Sequence, residues 1–318
     1  MDISVVVPLY NEDESIPELM EWIDRIMKEN NFSYEVLMVD DGSKDKSWEV
    51  VQGMTEKYPQ LKGIRFGRNY GKSAALHVGF QATQGDVVIT MDADLQDSPD
   101  EIPGLYKMIA EDGFDLVSGW KKKRYDPISK TIPSKFFNFI TRKVSGIHNL
   151  HDFNCGLKAY RSEVVKAIEI YGEMHRQIPL IAKWAGFEKI GEKVVEHRAR
   201  KYGVSKFGLN RFINGFLDLF TIVFTQKYLK KPMHFFGTWG VLFAVIGGST
   251  LAYLAFIKLA LGEGLGHRIP ALMFGSVTVL LGFILFSTGL LGEMISRTDP
   301  NRNSYRIAET VGDMVKVE

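Results

Sequence analysis

Two long apolar runs without a charged residue constrain this chain more than any other feature. The first run covers residues 235–257 and the second covers residues 271–292. Each is long enough for a helix that crosses a bilayer, which needs roughly 20 apolar residues. The alternative is a pair of buried helices in a soluble core, but such helices are usually shorter and amphipathic. The runs therefore predict a transmembrane hairpin that leaves both chain ends on one side of the membrane.

Basic residues near the ends of the runs indicate which side that is. Three lysines precede the first run and three arginines follow the second: Lys227, Lys230, Lys231, Arg297, Arg302 and Arg306. The connecting loop also carries Lys258, His267 and Arg268, so the asymmetry is partial. The N-terminus does not resemble a cleavable export signal. A single cysteine, Cys155, excludes an internal disulfide and suits a reducing compartment. We expect a multi-pass protein of the inner (cytoplasmic) membrane with both ends in the cytoplasm.

The residues before the first run alternate short apolar segments with helical patterns. Apolar residues at helical spacing follow the first strand over residues 16–27, and helical patterns follow the next three strands. Five strands are predicted, at residues 3–10, 34–40, 63–66, 86–92 and 115–120. Buried strands that alternate with helices predict an α/β fold with a doubly wound, mainly parallel sheet.

Ligands of such sheets bind beyond the carboxyl ends of the strands. Polar residues follow the first four strands at residues 8–12, 40–43, 67–72 and 92–97. Asp92 and Asp94 could approach one divalent cation, with Gln96 as a further oxygen ligand, and hard oxygen ligands favour Mg²⁺ or Mn²⁺. The same pair could instead form a turn and cap the next helix.

Two further loops at this edge have a functional and a structural interpretation. Asp40 could accept the ring N–H of a nucleobase, whereas residues 42–45 are also typical of a turn and helix cap. Residues 67–72 include Lys72 and two glycines, and could approach a diphosphate or form a solvated loop.

Six ordered motifs and the two apolar runs carry a family resemblance. The motifs are VVVPLYNE (5–12), VDDGSKDKS (39–47), GRNYGKSAAL (67–76), MDADLQD (91–97), HDFNCGLKAYR (151–161) and HRARKYGVSKF (197–207). Together they resemble the inverting family-2 glycosyltransferases with the GT-A fold. Within that family they resemble the polyprenyl-phosphate branch, which includes dolichyl-phosphate mannose synthase and the bactoprenol glucosyltransferases.

The resemblance implies transfer of one hexose from a nucleotide-sugar to polyprenyl (undecaprenyl) phosphate at the cytoplasmic face of the membrane. A UDP-sugar is the preferred donor, and GDP-mannose is the alternative. An alternative of another class is a non-catalytic membrane scaffold. Against it, the D-x-D motif (residues 92–94) and the basic motif at residues 197–207 are both intact. A processive polysaccharide synthase is disfavoured because the chain lacks Q-x-x-R-W and has few spans.

The resemblance and the residue chemistry together give a set of site predictions. For the nucleotide-sugar they are Pro8, Tyr10, Asn11, Glu12, Asp40, Asp41, Lys72, Asp92, Ala93 and Asp94. For the Mg²⁺ or Mn²⁺ ion they are Asp92, Asp94 and Gln96. Asp94 and Asp152 are the predicted catalytic residues, with Asp152 near the acceptor. The predicted acceptor-phosphate residues are Arg198, Arg200, Ser205 and Lys206. The alternative for this last group is a solvated basic loop or a lipid-headgroup patch.

Two segments are candidates for contact with the membrane surface. Residues 121–143 mix lysine and arginine with phenylalanine, and residues 209–229 place apolar residues at helical spacing. Either segment could instead pack into the core or against a second copy of the chain. Nucleic-acid binding is disfavoured because the adjacent spans already explain the basic charge. The predicted division is a cytoplasmic catalytic domain (1–208), an interfacial amphipathic region (209–231), two transmembrane helices (232–296) and a cytoplasmic tail (297–318).

Overall fold

The computed structural model describes residues 1–122, 138, 140–143, 145–198, 201, 221, 224, 231–262 and 264–297. The chain divides into two compact units, residues 1–219 and 220–318.

A seven-stranded sheet organises the first unit. Its spatial order is β3-β2-β1-β4-β6-β5-β7. Neighbouring strands are parallel except for β6, which runs antiparallel to both β4 and β5. The strands are β1 (Ile3–Leu9), β2 (Tyr34–Asp40), β3 (Leu61–Arg65), β4 (Val87–Thr90), β5 (Leu116–Trp120), β6 (Lys158–Arg161) and β7 (Ile190–Val194).

Helices of this unit follow the strands and bury one apolar face. In the first helix, for example, Ile16, Leu19 and Ile23 are fully buried because their spacing puts them on one side. The helices are α1 (Ile16–Glu29), α2 (Ser47–Met54), α3 (Lys72–Ala82), α4 (Ile102–Ala110), α5 (Ser162–Ala167) and α6 (Ile178–Trp184). The mainly parallel α/β fold predicted from the sequence is confirmed.

Two strands were absent from the sequence prediction. β6 has the sequence KAYR and β7 has the sequence IGEKV. Neither contains an apolar run of strand length, because each strand is short and carries charged residues. The five predicted strands are all present, with ends that differ by one or two residues.

The antiparallel strand β6 brings a further loop to the edge of the sheet where the predicted site residues lie, which we call the functional edge. The carboxyl ends of β1, β2, β4 and β5 lie at one edge, as parallel strands require. Because β6 runs the other way, the residues that precede it, 151–157, reach the same edge. All the loops that contain predicted site residues therefore begin or end at the functional edge.

The second unit contains a hairpin of two long apolar helices, α7 (Pro232–Ala260) and α8 (Ile269–Arg297). Both are long and apolar enough to cross a membrane. They contain the two uncharged runs and extend beyond them at both ends. Large apolar side chains such as Leu259, Phe283 and Ile295 are exposed on the hairpin, as on a surface that faces lipid. The predicted interfacial segment, residues 209–229, lies almost entirely outside the described residues, and the tail after residue 297 lies wholly outside them.

Candidate active site

The loops after β1 and β2 are joined by hydrogen bonds. The Asn11 amide donates to Ser43 Oγ at 2.9 Å, and Asn11 Oδ1 accepts from the Lys44 amide at 2.8 Å. The Glu12 amide donates to Ser47 Oγ at 2.8 Å. Asn11 has a φ of 55°, a left-handed conformation that asparagine tolerates better than most residues. The two loops predicted to hold the nucleotide therefore form one connected rim, which includes Tyr10 and Glu12, and Pro8 lies near the end of β1 just before it.

Asp40 and Asp41 have different surroundings at the end of β2. Asp40 is fully buried, accepts from the Ser43 amide at 2.8 Å and lies 3.4 Å from Arg65 Nε. Asp41 accepts from the Tyr70 and Gly71 amides at 2.7 and 2.9 Å. Burial raises the pKa of Asp41, and the nearby Asp40 carboxylate adds to this effect against those two hydrogen bonds. Asp41 thus holds the loop before Lys72, and its contact with nucleotide stays a prediction.

The Asp92–Ala93–Asp94 segment follows β4 directly. Leu95 has a φ of 60°, unusual for a bulky residue, and this turn lets the Gln96 amide donate to Asp94 Oδ1 at 3.2 Å. The Asp94 carboxylate is therefore fixed by its own loop. A Cβ at Gly156 would lie 2.6 Å from Asp92 Oδ2, so the loop before β6 lies directly against that carboxylate.

Lys72, the first residue of α3, forms an ion pair with Asp92. Both side chains are about one third exposed, at 28% and 34%. Burial would raise the pKa of Asp92, but three nearby ammonium groups, Lys72 first and then Lys121 and Lys158, together lower it below its ordinary value. The sequence prediction that Lys72 lies near the Asp92 pocket agrees with this geometry.

Two further lysines surround the same carboxylates. Lys121 lies 2.7 Å from Asp97 Oδ1, and the Asp97 side chain is fully buried. Burial would lower the pKa of Lys121, but the neighbouring acidic groups, Asp97 first, together raise it. Lys158, at the start of β6, is 3% exposed and donates to the Cys155 carbonyl oxygen. Burial lowers the pKa of Lys158, against attraction to Asp152 and Asp92.

Sequence reasoning missed Lys158 and assigned Lys121 to a membrane-facing basic patch. Lys121 is 14% exposed and is the partner of a buried carboxylate, which for this residue fits the alternative that it packs into the core. Lys158 could not be recognised because its strand was not predicted. Both lysines offset negative charge around Asp92, since a buried carboxylate needs a nearby cation.

Asp152 lies in the loop that enters β6. It is 1% exposed, and its Oδ1 accepts from the Asn154 amide at 3.1 Å. Its amide donates to Glu192 Oε1 at 3.1 Å, and Ser118 Oγ donates to its carbonyl oxygen at 3.1 Å. Asp152 is therefore tightly positioned at the functional edge.

Backbone pairing brings Arg198, at the start of the basic segment after β7, beside the D-x-D loop. The Arg198 amide donates to the Gln96 carbonyl oxygen at 3.0 Å, and Gln96 Nε2 donates to the Arg198 carbonyl oxygen at 3.4 Å. The Arg198 guanidinium lies over the Trp22 ring at 4.3 Å, near Asp100 and Glu196. Arg198 thus supports Gln96 through its backbone, while its side chain is occupied by acidic partners. Arg200, Ser205 and Lys206 lie outside the described residues.

The carboxylates fit a divalent ion that is shared with a substrate. Within the described ranges, no group of three or more His, Cys, Asp or Glu side chains converges as a metal site. Asp92 and Asp94 supply two carboxylates, and Mg²⁺ commonly binds to one or two carboxylates together with substrate phosphates. The donor set therefore fits a metal ion that arrives with a phosphorylated ligand.

Sequence comparison gives the family of the chain. The model of "Glycosyl transferase family 2" matches residues 4–169. The chain belongs to that family and is a glycosyltransferase, as its motifs predicted.

Curated relatives extend the match to nearly the whole chain. The chain is 37% identical over 305 residues to dodecaprenyl-phosphate galacturonate synthase of Rhizobium johnstonii, covering 94% of this chain and 88% of the relative. It is 34% identical over 296 residues to undecaprenyl-phosphate 4-deoxy-4-formamido-L-arabinose transferase of Pseudomonas syringae pv. syringae, covering 93% and 86%. The predicted resemblance to polyprenyl-phosphate glycosyltransferases is confirmed.

Solved structures confirm the GT-A fold. Glucosyl-3-phosphoglycerate synthase from Mycobacterium tuberculosis with UDP matches with a TM-score of 0.56 and 18% identity, over 71% of this chain and 79% of that one. The same enzyme with Mn²⁺ and UDP-glucose gives 0.54 and 18%, over 71% and 78%. Mannosyl-3-phosphoglycerate synthase from Rubrobacter xylanophilus gives 0.59 and 16%, over 71% and 75%.

Proposed function

We propose that this protein transfers one hexose from a UDP-sugar to undecaprenyl phosphate, with inversion at the anomeric carbon, on the cytoplasmic face of the inner membrane. The observation that carries the proposal is the extent of similarity to the relatives. It spans 94% of the chain, and therefore includes the apolar hairpin, and the relative is named for a polyprenyl-phosphate product. A hairpin beside a glycosyltransferase domain suits an acceptor that is itself a membrane lipid.

Residues of the functional edge have distinct proposed roles. The rim formed by the β1 and β2 loops binds the nucleotide, with Asp40 at the base. Asp92 and Asp94 hold Mg²⁺ or Mn²⁺, with Gln96 beside them. The ion supplies positive charge where the nucleoside diphosphate leaves. Lys72 lies at the Asp92 carboxylate and offers a second cation to the same diphosphate.

The acceptor needs little activation. A phosphate monoester has a second pKa of about 6 and is largely dianionic at neutral pH. One of its oxygens attacks the anomeric carbon as the bond to the diphosphate oxygen breaks, so no proton must be removed from the nucleophile. Asp152, which is buried and hydrogen-bonded to the Asn154 amide, acts by positioning rather than as a base. Arg200, Ser205 and Lys206 remain the proposed acceptor-phosphate residues, with Arg198 supporting the loop.

The test is to incubate the purified full-length protein with undecaprenyl phosphate, Mg²⁺ or Mn²⁺ and a panel of UDP- and GDP-sugars. A glycolipid detected by mass with a UDP-sugar supports the proposal, and its loss with EDTA supports the metal. A product formed only with GDP-mannose would show that the donor is GDP-mannose and not a UDP-sugar. A folded protein that binds nucleotide and yields no product with any donor would favour the scaffold.

Two variants separate the proposed carboxylate roles. Asp94→Ala should abolish transfer because it removes a metal ligand, whereas Asp152→Asn should leave measurable transfer because the amide still fills the same position. The measurement is the initial rate of glycolipid formation, with a thermal unfolding curve for each variant. Equal losses in the two variants, with both folded, would contradict the positioning role of Asp152.

A further inference from the structure

An aromatic and basic platform lies at the functional edge, beyond the residues assigned above. It consists of Trp120, Lys122 and His151. The rings of Trp120 and His151 stack at 4.1 Å between centroids and 13° between planes. The Lys122 ammonium lies 5.7 Å from the Trp120 ring centroid. Lys122 and His151 therefore flank one indole at the end of β5.

Glu192 fixes the orientation of the His151 ring. Its Oε2 lies 2.7 Å from His151 Nδ1, and its Oε1 accepts from the His151 amide at 2.6 Å. A carboxylate accepts hydrogen bonds, so Nδ1 carries the proton in this pair. The Glu192 side chain is 8% exposed, whereas His151 is 49% exposed. Because Glu192 engages Nδ1 and the ring is half exposed, Nε2 is the ring nitrogen that can reach a ligand.

The sheet order places the platform on the acceptor side of the site. The nucleotide rim lies on β1 and β2, the D-x-D segment follows β4, and β6 and β5 come next in the sheet. His151 directly precedes Asp152, which donates its own amide to Glu192. A group bound at the platform therefore lies beyond the diphosphate, where the sugar or the acceptor phosphate must be.

We propose that the platform of Trp120, Lys122 and His151 binds an oxyanion of the substrate through His151 Nε2, with Glu192 as the positioning residue. This inference rests on the proposed function for the identity of the substrates. Two sources share the required chemistry: the phosphate of the lipid acceptor and a carboxylate on the transferred sugar. A protonated His151 ring and the Lys122 ammonium would both donate to such a group, and hydrogen bonds between a charged donor and a charged acceptor are the stronger kind.

The experiment is a set of binding titrations on the full-length protein in detergent. The probes are farnesyl phosphate, UDP-glucose and UDP-glucuronate, titrated into wild type, His151→Ala and His151→Gln. We expect His151→Ala to weaken binding of farnesyl phosphate or of UDP-glucuronate at least fivefold and to leave the affinity for UDP-glucose, which lacks the additional oxyanion, within twofold. Because a glutamine amide can place a donor near the Nε2 position, His151→Gln should fall between wild type and His151→Ala. Weaker binding of farnesyl phosphate would identify the lipid phosphate as the oxyanion bound at the platform. Weaker binding of UDP-glucuronate would identify a sugar carboxylate instead.

The matched control is His148→Ala, an exposed histidine three residues earlier in the same loop region. It should leave all three probes within twofold of wild type. The proposal is overturned if the affinity of His151→Ala for both farnesyl phosphate and UDP-glucuronate stays within twofold of wild type. It is also overturned if wild type binds neither of these two probes. These titrations need no turnover, so failure of the proposed transfer reaction is detected separately, as absence of glycolipid product.

Discussion

At the scale of single residues, the contact between Lys72 and Asp92 governs the charge of the D-x-D segment. Burial alone would raise the pKa of Asp92, and Lys72, with Lys121 and Lys158, reverses that effect. A carboxylate binds a metal ion only when it is deprotonated. Lys72 therefore helps to keep Asp92 in the form that the proposed metal site requires, in addition to its proposed contact with the diphosphate.

This reasoning predicts a pH effect for Lys72→Met. Loss of the Lys72 ammonium removes the largest effect that opposes burial, so the pKa of Asp92 rises. Binding of Mn²⁺ in the presence of UDP, measured by electron paramagnetic resonance, should then fail at a higher pH than in wild type as the solution is acidified. Lys62→Met is a suitable control, because Lys62 pairs with Glu35 away from this edge. The prediction fails if Lys72→Met loses Mn²⁺ at the same pH as wild type or at a lower pH.

At the scale of elements, glycine determines how the two apolar helices meet. Gly240 and Gly247 on α7 are seven residues apart, as are Gly275 and Gly282 on α8. A Cβ on Gly247 would lie 2.7 Å from both the Gly275 carbonyl oxygen and the Val279 amide nitrogen. Small residues let helix backbones approach closely within a membrane, where packing replaces the hydrophobic effect.

The matched pair Gly247→Ile and Gly248→Ile tests this contact. A Cβ on Gly248 would meet no atom within 4 Å, so the added side chain enters open space. At Gly247 the neighbouring atoms are backbone and cannot move aside, so we expect a loss of about 1–3 kcal/mol, the usual cost of overpacking. Thermal unfolding of the full-length protein in detergent measures the difference. Equal unfolding temperatures for the two variants would show that the helices do not depend on this approach.

The same elements show what the sequence could and could not reveal. The runs of β1, β2 and β4 are apolar and end in acidic or polar residues, so both the strands and the edge positions of Asp40 and Asp92 were predictable. β6 carries a lysine in a four-residue strand, and its antiparallel direction depends on pairing with distant strands. Lys158 and the Glu192–His151 pair were therefore invisible to local patterns, because only the sheet order brings them to the site.

At the scale of the whole molecule, the hairpin and the charge distribution define a topology that can be measured. Both chain ends should lie in the cytoplasm, and the connection between α7 and α8 should lie outside. The chain suits cysteine labelling because Cys155 is its single cysteine and is buried. Burial raises the pKa of the Cys155 thiol to about 12, so it is almost entirely protonated and unreactive near neutral pH.

Single-cysteine additions at Gly264 and Lys57 then report the two sides. Both positions are exposed, Gly264 between α7 and α8 and Lys57 in the first unit. A membrane-impermeant maleimide applied to intact spheroplasts should label Gly264→Cys at once and Lys57→Cys only after the membrane is permeabilised. Wild type should remain unlabelled in both conditions, since its thiol is buried. The reverse pattern would put the nucleotide-sugar site outside the cytoplasm, away from the pool of activated sugars, and would refute the proposed direction of transfer.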